Sequence, residues 1–138
     1  MTQMTQDEIA KKLSDNNIRP SVQRMAIYDF LVKNPVHPTA ETIYENLSQT
    51  MPTLSRTTIY NTLRQFSDCN LIQTVTIEDG ELRYDADTSN HIHFKCTECG
   101  KIFDILGTAE ISSSVVPKGF LAKKSQTNIW GICENCLA

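Results

Sequence analysis

Apolar residues recur at helical spacing through the first half of the chain and at strand-like spacing through the second, and that change of period separates two kinds of local structure. From Thr5 to about Asn16, Ile9 and Leu13, with the aliphatic stem of Lys12, mark one face of a first helix, which Asn16, Asn17 and Pro20 stop. A second helix opens at Ser21. Met25, Ile27, Tyr28, Leu31 and Val32 form its apolar side, and Asn34-Pro35 ends it because the residue before a proline is pushed out of the helical region. After Pro35-Val36-His37-Pro38, Thr39 offers an N-cap hydroxyl to a third helix with Thr42 in its first turn and Ile43, Tyr44 and Leu47 inside; Pro52 closes the segment. Ser55 caps a fourth, in which Ile59, Leu63 and Phe66 point inward and Arg56, Thr57, Tyr60, Asn61 and Arg64 outward.

Beyond Cys69-Asn70 the period shortens. Leu71 to Ile77 and Glu81 to Tyr84 alternate around Glu78-Asp79-Gly80, and Asp-Gly between such runs signals a hairpin. Helices followed by a two-stranded hairpin compose a winged helix-turn-helix with Ser55 to Ser67 as its reading helix, or else a small helical domain with an incidental hairpin. His93 to Lys95, Lys101 to Leu106 and Phe120 to Ile132 read as strands, with a short helical stretch from Thr108 to Val115. The expected class is α+β, with a helical unit ending in a hairpin over 1–84, a polar hinge over 85–92 and a small strand-rich unit over 93–138. The second domain is so small that metal and dimer formation are expected to supply stability its core cannot.

With 138 residues the chain holds one ordinary domain or two small ones. The apolar runs are too short to cross a bilayer, and the polar N-terminus lacks the apolar core of a secretion signal, so a soluble cytoplasmic protein is expected. Thirteen basic against sixteen acidic residues give a net charge of -3, so bulk charge offers no pull toward nucleic acid and any DNA surface must be local. Between Thr53 and Ser67 the charges are Arg56 and Arg64 alone, with Arg19 and Arg24 upstream. On the outward face of the fourth helix, arginine suits guanine, Asn61 suits adenine, and Thr57 and Tyr60 suit phosphate or a thymine methyl, with no acid opposing them. Scattered solvated arginines are the plainer reading of the same charges.

Two C-x2-C pairs, Cys96 with Cys99 and Cys133 with Cys136, have the spacing that closes four thiolates around one tetrahedral ion, with Gly100 and Gly131 easing the turns. Structural Zn2+ is the expected occupant; disulfides or unrelated buried thiols are the alternatives. Cys69, the fifth thiol, reads as a buried filler. Strand alternation points His91 and His93 to one side, with His37 far upstream and Asp85, Asp87 and Asp104 nearby in sequence. Such imidazoles and carboxylates suit Fe2+, Mn2+ or Zn2+, or stand as separate surface histidines.

Several motifs together resemble the ferric uptake regulator superfamily over nearly the whole chain. They are Arg19-Pro20-Ser21-Val22-Gln23-Arg24, His37-Pro38-Thr39-Ala40, Ser55-Arg56-Thr57-Thr58-Ile59-Tyr60-Asn61-Thr62-Leu63, His91-Ile92-His93-Phe94-Lys95-Cys96-Thr97-Glu98-Cys99-Gly100-Lys101 and Gly131-Ile132-Cys133-Glu134-Asn135-Cys136. The resemblance implies a winged-helix DNA-binding domain over 1–84 and a small α/β dimerisation and metal-binding domain over 93–138, in a homodimeric, metal-dependent repressor of a palindromic double-stranded DNA operator, neither an enzyme nor a membrane protein. It also implies a regulatory Fe2+ or Mn2+ held by His37, Asp85, His91, His93 and Asp104. Asp104 and Asn61 make the chain most similar to the peroxide-sensing branch, in which iron-dependent oxidation of His37 or His91 would release DNA. An iron-, manganese- or zinc-responsive regulator of metal uptake is the alternative. A three-histidine metalloenzyme is a rival that no recognisable general base supports.

Overall fold

Hydroxyl side chains set where the long helices begin. Thr5 caps α1 (Gln6–Asp15) in a reciprocal box with Glu8, Ser21 caps α2 (Val22–Lys33), Thr39 caps α3 (Ala40–Leu47) and Ser55 caps α4 (Arg56–Asp68). Each oxygen accepts from a backbone N–H of the first turn that would otherwise lack a partner. The computed structural model describes residues 4–76, 82–89, 92–105, 116–122 and 125–138. They divide into two units, Met1–Thr88 and Ser89–Ala138.

The core of the first unit is the sum of four inner helix faces. Ile9, Leu13, Ile27, Leu31, Ile43, Ile59, Leu63 and Phe66 are all buried together. Each such side chain contributes about 1.5–3 kcal/mol on leaving water. Tyr28 meets the edge of Phe66 at 6.0 Å and 87°, the perpendicular arrangement that aromatic quadrupoles favour. Strands β1 (Gln73–Val75) and β2 (Arg83–Asp85) follow as an antiparallel pair with Gln73 opposite Asp85 and Thr74 opposite Tyr84. The chain is thus a winged helix-turn-helix in this unit; the Glu78-Asp79-Gly80 turn lies outside the described residues. Asp85, the expected start of the hinge, is instead the last residue of β2, paired and buried. Pro38 and Thr39 add to the wing's edge, through Tyr84 N–H donating to the Pro38 carbonyl at 3.0 Å and a bridge between Thr39 and Arg83.

In the second unit β3 (Ile92–Cys96) is central, antiparallel to β4 (Ile102–Ile105) and parallel to β5 (Thr127–Gly131). The expected strand from Phe120 begins only at Thr127, and the backbone at Pro117–Phe120 is a turn. The helical stretch expected from Thr108 to Val115 lies outside the described residues. A short helix not anticipated, α5 (Glu134–Leu137), carries the second cysteine pair. Among the described residues of this unit only His93, Cys96 and Cys133 are buried. Phe103, Ile105, Ile129, Trp130 and Ile132 stay exposed. Among the described residues no helix is long and apolar enough to cross a membrane.

Truncating Phe66, fully buried where α4 meets α2, will lower the unfolding free energy of the first unit by about 3–5 kcal/mol. Urea denaturation of Phe66→Ala followed by circular dichroism checks this; a loss below about 1 kcal/mol would contradict the packing.

Candidate metal centres

Cys96 closes β3, Cys99 lies in the turn behind it, and Gly100 takes φ +77 there, a backbone conformation costly for any side chain with a Cβ. Cys133 caps α5 and Cys136 sits within it. The four sulfurs all lie within 4.8 Å of one another, and Cys99 and Cys133 are 3.8 Å apart. A tetrahedral ion with Zn–S bonds of about 2.3 Å needs sulfurs about 3.8 Å apart, whereas a disulfide needs about 2.05 Å. The cysteines are free, so the geometry fits Zn2+ and excludes the disulfide alternative.

Electrostatics point the same way. The Cys96 sulfur accepts the backbone N–H groups of Cys99 at 3.4 Å and Cys133 at 3.3 Å. These donors, Cys99 foremost, hold its thiol down to about 6. Cys136 is pushed up to about 12, first by hydrogen bonding with Cys133 and then with Cys96, because a further negative sulfur in the cluster has no counter-charge. One thiolate is therefore prepared by the backbone, and full ionisation of the set calls for a cation.

The histidines stand with carboxylates, one pair in each unit. In the first, His37 is buried at φ +59 in the loop between two prolines, and its Nε2 lies 3.3 Å from Asp85 Oδ2. That left-handed conformation is uncommon for a residue with a side chain. Arg83 Nη1 fixes it by donating to the His37 carbonyl at 3.0 Å, and Asp87 N–H donates to Asp85 Oδ1 at 2.9 Å. In the second unit, His93 is buried on β3 directly across from Asp104 on β4, with Nε2 and Oδ1 3.6 Å apart. Each couple offers a nitrogen and an oxygen donor, and spacings a little above 3 Å suit neighbouring ligands on a shared ion about 2.1 Å from each. His91 lies outside the described residues.

On α4, Arg56, Thr57, Tyr60, Asn61 and Arg64 are exposed as their helical phase requires. Tyr60, Asn61 and Arg64 line a cleft of about 460 Å³ with Thr74 and Tyr84 of the wing. Arg19 is exposed, and Arg24 is half-buried with Nη1 donating to the Arg19 carbonyl at 2.8 Å. One expectation fails: an acid does oppose this face. Glu41 on α3 accepts from Arg56 Nε and Nη2 at 3.0–3.2 Å. It escaped sequence reading because the partners are remote in the chain and meet only through the helix crossing. Arg56 in turn holds the Glu41 carboxyl below its usual range. Cys69 is half-buried against the core and its thiol donates to the Phe66 carbonyl at 3.4 Å, a structural filler.

Comparison with known proteins places these features in context. Residues 15–125 match the Ferric uptake regulator family. The chain is 36% identical over 132 residues to the Peroxide operon regulator of Bacillus subtilis, covering 94% of this chain and 91% of that one. It is 38% identical over 128 residues to the Peroxide-responsive repressor PerR of Staphylococcus saprophyticus, covering 90% and 86% respectively. Its fold is similar to that of the Helicobacter pylori ferric uptake regulator Fur, a structure described as revealing three functional metal binding sites. That likeness has a TM-score of 0.76 and 23% identity, over 100% of this chain and 98% of that one.

Zinc affinity will carry the signature of the Cys96 thiol. Because that thiol ionises at about 6 rather than its ordinary 9.0, it gives up no proton on binding zinc above that pH and one proton below it. Log affinity, measured against a chromophoric chelator, should therefore gain about one further unit of slope per pH unit on the acid side. An unchanged slope through that pH would contradict the backbone-stabilised thiolate.

Proposed function

The chain belongs to the ferric uptake regulator family, and from that premise we propose that it is a metal-dependent, DNA-binding repressor that senses peroxide through Fe2+ at its histidines and aspartates. The observation that carries the reading is donor chemistry. Two buried imidazoles each stand beside a carboxylate, His37 with Asp85 and His93 with Asp104, a nitrogen and oxygen set that suits Fe2+ or Mn2+. The all-sulfur set of Cys96, Cys99, Cys133 and Cys136 suits Zn2+ and, being closed, takes a structural role.

The regulatory ligands in this proposal are His37 and Asp85 from the winged helix together with His91, His93 and Asp104 from the second unit. A ligand set drawn from both units lets occupancy bias the equilibrium between their arrangements, by as much as the ion prefers one arrangement over the other. Buried Asp85 and exposed Asp104 each orient an imidazole, and Arg83 holds the His37 backbone in place. Family members are dimeric DNA-binding regulators, and the exposed Phe103, Ile105, Ile129, Trp130 and Ile132 supply the apolar surface a second copy would cover. In the dimer, each α4 presents Thr57, Tyr60, Asn61 and Arg64 to one half of a palindromic operator, while Arg19 and Arg24 meet phosphates.

When bound, Fe2+ supplies the electrons that reduce hydrogen peroxide and yield an oxidant of a neighbouring side chain. Net, the peroxide O–O bond would break, one oxygen entering a ring C–H of His37 or His91 and the other leaving as water, and the oxidised ring, with its nitrogens protonated, would be a poor ligand. Mn2+ on the same ligands would support DNA binding without that oxidation.

Equimolar peroxide should weaken operator binding by the iron-loaded dimer by about 5- to 150-fold, the usual span of allosteric coupling, and leave the manganese-loaded dimer unchanged. Mass spectrometry should find one added oxygen atom on His37 or His91. Equal binding in both loadings, with no oxygen on either histidine, would return the protein to a regulator that answers to metal supply alone.

A further inference from the structure

Arg56 is the first residue of α4, on the turn that leads into the major groove in helix-turn-helix proteins. Its guanidinium is already engaged along two directions. Its edge meets the Glu41 carboxylate, with Nε donating at 3.2 Å to both oxygens and Nη2 at 3.0 Å. Its face lies 4.2 Å from the centre of the Tyr44 ring. The Arg56 side chain remains 59% exposed, so its neighbours on α3 restrain it, not burial. Glu45, on the same helix, adds to the negative potential around it. An isolated surface ion pair contributes little, but a bidentate pair that also stacks restrains both the direction and the plane of the guanidinium.

Resting on the DNA-binding reading above, we propose that Glu41 is a specificity-determining residue: by holding Arg56 against Tyr44, it keeps that cation off the phosphates of DNA of any sequence. A released arginine at the head of α4 would strengthen binding to every duplex alike, since phosphate contacts carry no sequence information. Held in place, Arg56 acts as a positioning residue that locks the first turn of α4 to α3. Discrimination then falls to Tyr60 and Asn61, which make no such pair among the described residues. The design agrees with a chain whose net charge is -3, which gains nothing from general attraction to DNA.

The test uses the manganese-loaded full-length dimer and two duplexes, an operator selected from random-sequence DNA by the wild type and a mixed-sequence duplex lacking it. Fluorescence anisotropy is followed over a series of salt concentrations. Glu41→Gln, present in both protomers, should raise affinity for the mixed-sequence duplex roughly sixtyfold at about 0.1 M salt and steepen the salt slope by about 1.8, the effect of one added phosphate contact per protomer. Operator affinity should rise by less, so that the ratio between the two falls. In an Arg56→Gln background the same change should move neither quantity. Unchanged mixed-sequence binding in Glu41→Gln overturns the inference, and so does an increase that persists without Arg56, which would assign the effect to the lost negative charge alone. A wild type that retains no duplex overturns the DNA-binding reading itself.

Discussion

Four sulfur atoms brought within reach of one ion are the constraint on which the second unit depends. Among its described residues only His93, Cys96 and Cys133 are buried, and a unit this small has little apolar surface with which to offset the conformational entropy of folding. The cysteine cluster joins the end of β3 to the helix after β5, so the parallel pairing of those strands is closed at one end by metal ligands. Its electrostatics are poised for a cation, with one thiol lowered by backbone donors and another raised by its neighbours. Phe103, Ile105, Ile129 and Trp130 on the same sheet stay exposed.

The first unit is built on the opposite principle. Capped helices with continuous inner faces give it a core that needs no ion. Its histidine is an added cost: His37 adopts a left-handed backbone inside a buried loop, and Arg83 and Asp85, two residues apart on one strand of the wing, hold its carbonyl and its ring. Whatever engages His37 and Asp85 therefore acts on the wing itself, because Asp85 ends one of its two strands. The Glu41–Arg56–Tyr44 clamp joins the first turn of α4 to α3.

Much of this was legible in the sequence where local chemistry decides structure. Apolar periodicity marked all four long helices, with hydroxyl caps read at Thr39 and Ser55, and the outward phase of Tyr60 and Asn61 followed from the inward phase of Ile59 and Leu63. The cysteine spacing announced a tetrahedral set. What failed to show was whatever depends on contacts across the chain. Asp85 read as linker because a polar residue at a strand end looks like one until its partner Gln73 is known. Phe120 and Leu121 read as strand on hydrophobicity, but both are exposed and lie before β5. The pairing of His37 with Asp85 and of Arg56 with Glu41 depends on the packing of helices and wing, which no window of sequence encodes.

Two groups of ligand-type side chains on this chain differ in chemistry, one of four sulfurs and one of imidazoles with carboxylates. X-ray absorption on protein carrying both zinc and iron tests that difference element by element. The zinc edge should report sulfur neighbours alone at about 2.3 Å, and the iron edge nitrogen and oxygen neighbours alone at about 2.0–2.2 Å. Sulfur around the iron, or imidazole nitrogen around the zinc, would contradict it.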